Sequence, residues 1–310
     1  MPNKKPIAAL IFALLLATPA WAAPQVLATI KPVHSLVAGV MQGVGEPDLL
    51  IRGALSAHSY ELKPSDARKL HEADVIFEIG PGMETYLSGP LKALSGRATV
   101  VALEQAPGVK LLPARHGGLW GDEDEDEHGH GHGHAHGPHD PHIWLDPHNA
   151  VAMTRAIAAA LIARDPAHAA AYRKNEARQI AMLQALDREL AARLAPVRAR
   201  PYMVFHDAYR YLEERYGLSS VGAVTVAPDR PIGTRRAVAL RETIVRGGVV
   251  CLFREPQFPP KLIAALNRGT GARIGVLDPL GADLEPGPGL YPRLLRDLAQ
   301  SLTSCLGKKN

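Results

Sequence analysis

Cysteine is nearly absent from this 310-residue chain: there are two, Cys251 and Cys305. That excludes a disulfide-dense scaffold and any multi-cysteine metal cluster, although an isolated pair in an oxidising compartment is most simply one disulfide. The alternative, two thiolates as metal ligands, places them far along the chain from the other metal-binding residue types. Aromatic residues are also sparse, at 5%. Beyond the first segment no apolar run approaches the ~18 residues that cross a bilayer. Charge of one sign is missing too. With 35 basic and 31 acidic residues the net charge is +4, which implies no nucleic-acid partner. No His-Glu-x-x-His helix motif occurs, which weakens a metallohydrolase reading.

The hydrophobic fraction of 46% supports folded domains, and the length predicts about two of them. Residues 1–23 read as a secretory signal. Lys4 and Lys5 precede the apolar stretch Ile7 to Leu16, and Ala20-Trp21-Ala22 gives a small-x-small cleavage pattern. No cysteine follows that pattern, so no lipid anchor is implied, and the mature protein is expected to be exported and soluble.

Strand and helix signals alternate in two stretches. The first has strands near Gln25–Ile30, Asp48–Ile51, Val75–Ile79 and Thr99–Leu103, with helices over His34–Met41, Pro64–Glu72 and Glu84–Leu94. The second has strands near Met203–Phe205, Val221–Val226, Val249–Phe253 and Arg273–Leu277. Its helices span Tyr209–Tyr216, Arg235–Arg246, Pro260–Asn267 and Tyr291–Leu306. Between them, Asp146-Pro147 and Asp165-Pro166 each give a helix start, and Ala167 to Leu194 has almost no breaker. The organisation that follows is an N-terminal lobe over 24–166, a linker helix over 167–196 and a C-terminal lobe over 197–310. The fold class is α/β, two Rossmann-like lobes with parallel sheets joined by a long rigid helix. The competing view of that helix is one more surface helix.

Histidine is what the sequence has in unusual concentration. Nine of the fourteen lie between His116 and His148. Within the 116–141 loop, six consecutive acidic residues, Asp122 to Glu127, precede His128, His130, His132, His134, His136 and His139, interleaved with glycine. Such a segment cannot bury a core. Its imidazoles suit loose binding of divalent metal, or else it is a solvated insertion without a role. Three other histidines sit in ordered contexts: His58 in SAHSYELKPSDARKL, His142 in DPHIWLDPHNA and His206 in VFHDAYRYLEERYGL. His206 follows a strand and precedes a helix, the place where α/β folds hold ligands.

The stretches HSYELKPSDARKL, DPHIWLDPHNA with the acidic and His-rich loop before it, FHDAYRYLEERYGL, CLFREPQF and LDPLG, followed by Cys305, run from about Thr29 to Cys305. In order and spacing they resemble the metal-specific solute-binding receptors of ABC importers, specifically the high-affinity zinc-uptake members. The resemblance implies a metal site in the interlobe cleft. His58 and His142 would come from the first lobe, His206 from the second, and Asp278 is the candidate carboxylate. It also implies Zn2+ as cargo, a membrane permease of an ABC zinc importer as partner, a periplasmic location and a monomer, without enzymatic activity. Histidine at position 206, where manganese-type relatives carry Glu, favours zinc, since zinc prefers imidazole and manganese prefers oxygen. One departure is Ala57, where some zinc members carry a Glu, so the fourth position stays open between Asp278 and water. Glu255 is read as supporting the site rather than ligating.

Three competing readings remain. An exported zinc hydrolase would need an open coordination position and a base, for which Asp140, Asp146 and Asp207 stand beside candidate ligands. The cargo could be manganese, iron or nickel. The His tract could itself be the main site, as a zinc buffer or a partner-docking segment.

Overall fold

The computed structural model describes residues 23–93, 97–115, 118–120, 138–225 and 232–307. The expected signal segment up to residue 22 and His128, His130, His132, His134 and His136 lie outside the described residues.

Strands β1 (Val26–Ala28), β2 (Asp48–Leu49), β3 (Val75–Glu78) and β4 (Thr99–Ala102) alternate with helices α1 (Lys31–Met41), α2 (Pro64–Glu72) and α3 (Ser88–Ala93). The strands pair in parallel in the order β2-β1-β3-β4. After α4 (Pro147–Arg164) and α5 (Ala169–Leu194) the pattern repeats. Strands β5 (Tyr202–His206), β6 (Ser220–Thr225), β7 (Cys251–Arg254) and β8 (Arg273–Val276) form a second parallel sheet, ordered β6-β5-β7-β8. Helices α6 (Arg210–Tyr216), α7 (Thr234–Arg246), α8 (Lys261–Asn267) and α9 (Leu290–Leu306) accompany it. Central strands β1, β3 and β5 bury every residue, whereas the edge strands β4 and β8 leave Val100 and Ile274 exposed. A strand covered on both faces reads as a continuous apolar run, and these do.

Local chemistry sets the helix ends. Asp146 caps α4, its side chain accepting the His148 backbone N–H at 2.8 Å, with Pro147 at the first position. α6 stops at Gly217, whose φ of 64° is the left-handed conformation that glycine adopts without strain. The helix expected over Glu84–Leu94 is instead a 3-10 turn, Thr85–Leu87, followed by the short α3. Gly89 and Pro90 sit inside that stretch, and both disfavour a longer regular helix.

α5 has 26 residues and is extended at both ends by 3-10 turns, Pro166–His168 and Ala195–Val197. It spans about 39 Å. Its buried residues Tyr172, Asn175, Gln179, Leu183, Leu186, Leu190 and Leu194 recur every three or four positions, one stripe that packs on α1, α4 and α9. A Cβ on Gly39 would stand 1.6 Å from Gln179 Oε1, so glycine is what lets α1 approach α5 this closely. The long helix is thus a packed strut. It shares one continuous apolar core with both sheets, while a smaller core fills the far face of the second sheet. Among the described residues no helix is long and apolar enough to cross a membrane.

Polar ties fix the lobes to each other. Lys31 Nζ, at the start of α1, donates to the carbonyls of Gly281, Ala282 and Leu284 at 2.9, 2.6 and 3.0 Å. Trp144 Nε1 donates to Pro279 O at 2.8 Å, and Tyr291 OH donates to Trp144 O at 2.7 Å.

Cys251 on the central strand β7 and Cys305 on α9 form a disulfide, clamping the C-terminal helix to the second sheet. The sequence separation is 54. In the chain-entropy account closing a loop of this length stabilises by about 4 kcal/mol. The Cys251→Ser, Cys305→Ser double variant is therefore expected to unfold at lower urea concentration. Equal midpoints for variant and parent under oxidising conditions would contradict this.

Candidate metal centre

The carboxyl ends of the strands converge on a cavity between the lobes. His206 is the last residue of β5, and Glu255 immediately follows the adjacent strand β7. Parallel pairing of β5 with β7 places the two side chains next to each other. From the other lobe, His58 lies in the loop after β2. His142 precedes a 3-10 turn, Ile143–Leu145, that leads into α4.

Each of the two buried histidines at this cavity, His142 and His206, has a carboxylate behind it. Asp140 Oδ1 accepts both the backbone N–H and the Nδ1–H of His142, at 2.9 and 2.8 Å, a local turn that fixes the ring. Glu255 accepts from His206 Nδ1 with each oxygen at 2.9 Å, and Tyr209 OH also donates to Glu255 Oε1 at 3.1 Å. His142 and His206 are 3% and 4% exposed, Asp140 and Glu255 5% and 1%, so these pairs are held away from water. A carboxylate at Nδ1 demands a proton there, which leaves the Nε2 lone pair facing outward from the pair.

Those lone pairs face one another. His58 Nε2 lies 3.1 Å from His142 Nε2, and His206 Nε2 lies 3.2 Å from His142 Nε2. Among the described residues His58, His142 and His206 are the group whose ligand atoms all lie within 4.8 Å of one another. A tetrahedral zinc with Zn–N of ~2.05 Å has N···N edges of about 3.3 Å. The two separations to His142 thus already match two edges of such a tetrahedron.

Burial favours loss of a proton from the His206 imidazolium. The Glu255 charge and hydrogen bond outweigh it and hold the His206 pKa above its ordinary value. Around the pair lies a second ring of charge. Arg115 donates to Asp207 at 3.1 Å and to Glu213 at 2.5 Å, with its guanidinium 3.9 Å from the Trp120 ring centroid. Burial pushes the Asp140 carboxyl up to about 6 and the Asp207 carboxyl up to about 7, in both cases against the pull of Arg115.

The cavity is about 20 Å³. Its walls include Ala57, Met83, Trp144, Phe258, Pro279 and Leu280, besides the histidines, Ser56, Glu255 and Gln257. Sites for organic ligands run to several hundred Å³, so this one suits a small ion.

Asp278 is not brought to the imidazoles. Its Oδ1 accepts the backbone N–H of Leu280 at 3.1 Å and of Gly281 at 3.0 Å, and Gln257 Nε2–H at 2.8 Å. Its Oδ2 accepts the Ala282 N–H at 2.5 Å. The turn that follows Asp278 thus claims its carboxylate. His139, the one described member of the histidine tract's repeat, is exposed and bridges to Pro113 at the loop's base. Of the three aspartates weighed as bases, Asp146 caps α4, Asp140 holds His142 and Asp207 pairs with Arg115. The sequence reasoning missed Asp140 as the residue that orients His142. The signal was there, since Asp two positions before a polar residue is a common turn former.

The chain matches the family model of ZnuA, the periplasmic component A of zinc-uptake complexes, over residues 26–305. The high-affinity zinc uptake system protein ZnuA of Brucella suis biovar 1 (strain 1330) is 47% identical over 306 residues, covering 91% of this chain and 92% of that one. The protein of the same name from Paracoccus denitrificans (strain Pd 1222) is 39% identical over 306 residues, covering 92% of each. Among solved structures, a zinc-bound deletion mutant of ZnuA matches with a TM-score of 0.77 at 25% identity, over 93% of this chain and 100% of that one. TroA from Treponema pallidum, a periplasmic zinc-binding protein, matches in fold with a TM-score of 0.77 at 22% identity, over 92% of this chain and 99% of that one. With the family model spanning residues 26–305 and relatives well above 30% identity over more than nine-tenths of the chain, this protein belongs to the ZnuA family of periplasmic zinc-uptake components.

Proposed function

We propose that this protein is a periplasmic receptor that captures Zn2+ in the interlobe cleft and hands it to the membrane permease of an ABC zinc importer. The observation that carries the reading is the trio of Nε2 atoms, 3.1 and 3.2 Å apart, with Asp140 and Glu255 fixing two of the rings. His58, His142 and His206 are the ligands. Imidazole donors favour zinc over manganese, which prefers oxygen. Residues 1–23 direct export and are removed, leaving a soluble monomer. The tract of His128, His130, His132, His134, His136 and His139 gathers zinc at low affinity and raises its local concentration near the cleft.

The protein is a carrier and not a hydrolase. Each aspartate near the ligands is already engaged as a cap, a ring-holder or an ion-pair partner, and the cavity lacks room for a peptide or ester. Release follows when the permease draws the lobes apart, because His58 and His142 come from one lobe and His206 from the other.

A chelator-competition zinc titration on protein lacking residues 121–137 tests the reading. One tight site is expected, and His206→Ala should weaken it by more than the ~10–100-fold that loss of an outer partner brings. Loss of tight binding on loop deletion alone would move the cargo site to the histidine tract.

Proton competition gives a second test. Zinc must displace any proton on the imidazoles, and the raised His206 pKa starts that competition above the ordinary imidazole value of ~6.5. Affinity is therefore expected to fall steadily from about pH 7.5 to about pH 5.5, and a constant dissociation constant over that range contradicts the assignment.

Stability of the metal-free protein should move the other way. Burial raises the carboxyls of Glu78 and Glu84 to about 7, Asp140 to about 6 and Asp207 to about 7. A group whose folded pKa is raised contributes stability below its unfolded pKa and loses it as pH rises through the folded value. His206 adds to the same trend, while His34, whose pKa burial lowers, opposes it. Metal-free protein is thus expected to melt at higher temperature near pH 5.5 than near pH 7.5, as scanning calorimetry would show.

A further inference from the structure

Gln257 lies three residues beyond β7 and lines the same cavity as the three histidines. Its Nε2–H donates to Asp278 Oδ1 at 2.8 Å. Its Oε1 is buried and has no protein partner. The amide cannot turn over without setting Oε1 against a carboxylate that accepts and does not donate. Asp278 is itself immobile, because three backbone N–H groups of residues 280–282 hold its two oxygens. The turn carrying those groups is in turn held by Lys31 Nζ, through the carbonyls of Gly281, Ala282 and Leu284.

The result is a fixed acceptor in the wall of a small cavity. A buried amide oxygen left without a donor costs about 1–3 kcal/mol, so this one calls for a donor from whatever occupies the cavity. The other acceptors nearby are spoken for: both Glu255 oxygens take the His206 Nδ1–H, and Ser56 Oγ accepts the His58 backbone N–H at 3.2 Å. Three imidazoles fill three corners of a zinc tetrahedron and leave one. A water at that corner carries two protons, made more acidic by the metal.

We propose that Gln257 is the positioning residue for zinc's fourth ligand, a water whose proton is accepted by Gln257 Oε1, with Asp278 holding the amide in that orientation. The role of Asp278 is then to set the amide rather than to bind the metal. This inference rests on the zinc-cleft reading above. It makes the site selective in a further way, since the fourth corner is built for a neutral oxygen donor with a hydrogen to give.

The test combines the structure of the zinc-loaded protein, at a resolution that shows waters, with chelator competition on variants. Zinc on His58, His142 and His206 is expected, with one water on the metal and within hydrogen-bond reach of Gln257 Oε1. Gln257→Met, which keeps volume and removes the amide, should weaken zinc binding about 10-fold at unchanged melting temperature of the metal-free protein. Gln257→Leu guards against a packing effect peculiar to Met. Asp278→Ala, which removes the acceptor that holds the Nε2–H, should release the Gln257 amide from its orientation, weaken binding to a similar degree, and add little when combined with Gln257→Met. In the Co2+-substituted protein, the pH-dependent shift of the visible bands from the bound water should move in Gln257→Met, which a purely structural residue would not cause. Zinc on the three histidines with Oε1 or Asp278 coordinated directly, or unchanged affinity in both Gln257 variants, overturns the inference and leaves the zinc-cleft reading intact. Zinc away from the histidines overturns both.

Discussion

Two buried ion-ready pairs, Asp140 with His142 and Glu255 with His206, are what the remainder of the structure depends on. Each carboxylate fixes the proton on Nδ1 and so turns an Nε2 lone pair toward the cavity. His58 Nε2 and His206 Nε2 lie 3.1 and 3.2 Å from His142 Nε2, so the three rings crowd around one point of the cleft. A shared proton or a metal at that point engages the nitrogens together. Glu255, whose charge and hydrogen bond hold the His206 pKa up against burial, also presents that ring's Nε2 to the same point. Protons and metal compete for the same electron pairs.

Such crowding persists only if the lobes cannot relax apart. A flexible linker would let His206 drift from His142. The protein instead packs α5 along α1, α4 and α9, and shares one apolar core between the sheets. Ties through Lys31, Trp144 and Tyr291 then set the height of the second lobe's turn over the first. Arg115 adds a tie on the opposite side, reaching from the base of the histidine-rich segment to Asp207 and Glu213. Asp207 adjoins His206, so the base of that segment and a ligand strand share one ion pair. The architecture is a stiff clamp whose jaws differ in which ligands they carry.

Much of this was legible in the sequence because the signals were local. Buried parallel strands are short apolar runs, so all eight were placed to within a few residues. Asp-Pro at 146–147 and at 165–166 announced the two long helices. His58, His142 and His206 stood out because each sits in a stretch whose order and spacing resemble a known receptor family. What escaped was non-local or competitive. The helix over Glu84–Leu94 yielded to Gly89 and Pro90. Asp278 was the candidate carboxylate through the family resemblance, with water as the alternative, and in the structure the Pro-Leu-Gly that follows makes a turn whose N–H groups hold that carboxylate. The orientation of Gln257 depends on that same aspartate, 21 residues away on the next strand's exit, and no local pattern encodes it.

Charge also bears on the cleft. Asp140 and Glu255 stand behind two of the imidazoles, and Asp207 and Glu213 lie just beyond with Arg115 as their cationic partner. That acidic surrounding favours a cation between the rings over a neutral ligand, because an uncompensated buried charge costs several kcal/mol. Asp278 takes no part in it, since the turn that follows engages both of its oxygens. Each carboxylate is fixed 2.8–2.9 Å from its own ring inside one lobe, and the clamp then brings the two sets of rings together, so imidazole donors that suit a borderline-soft cation meet only because the lobes are held.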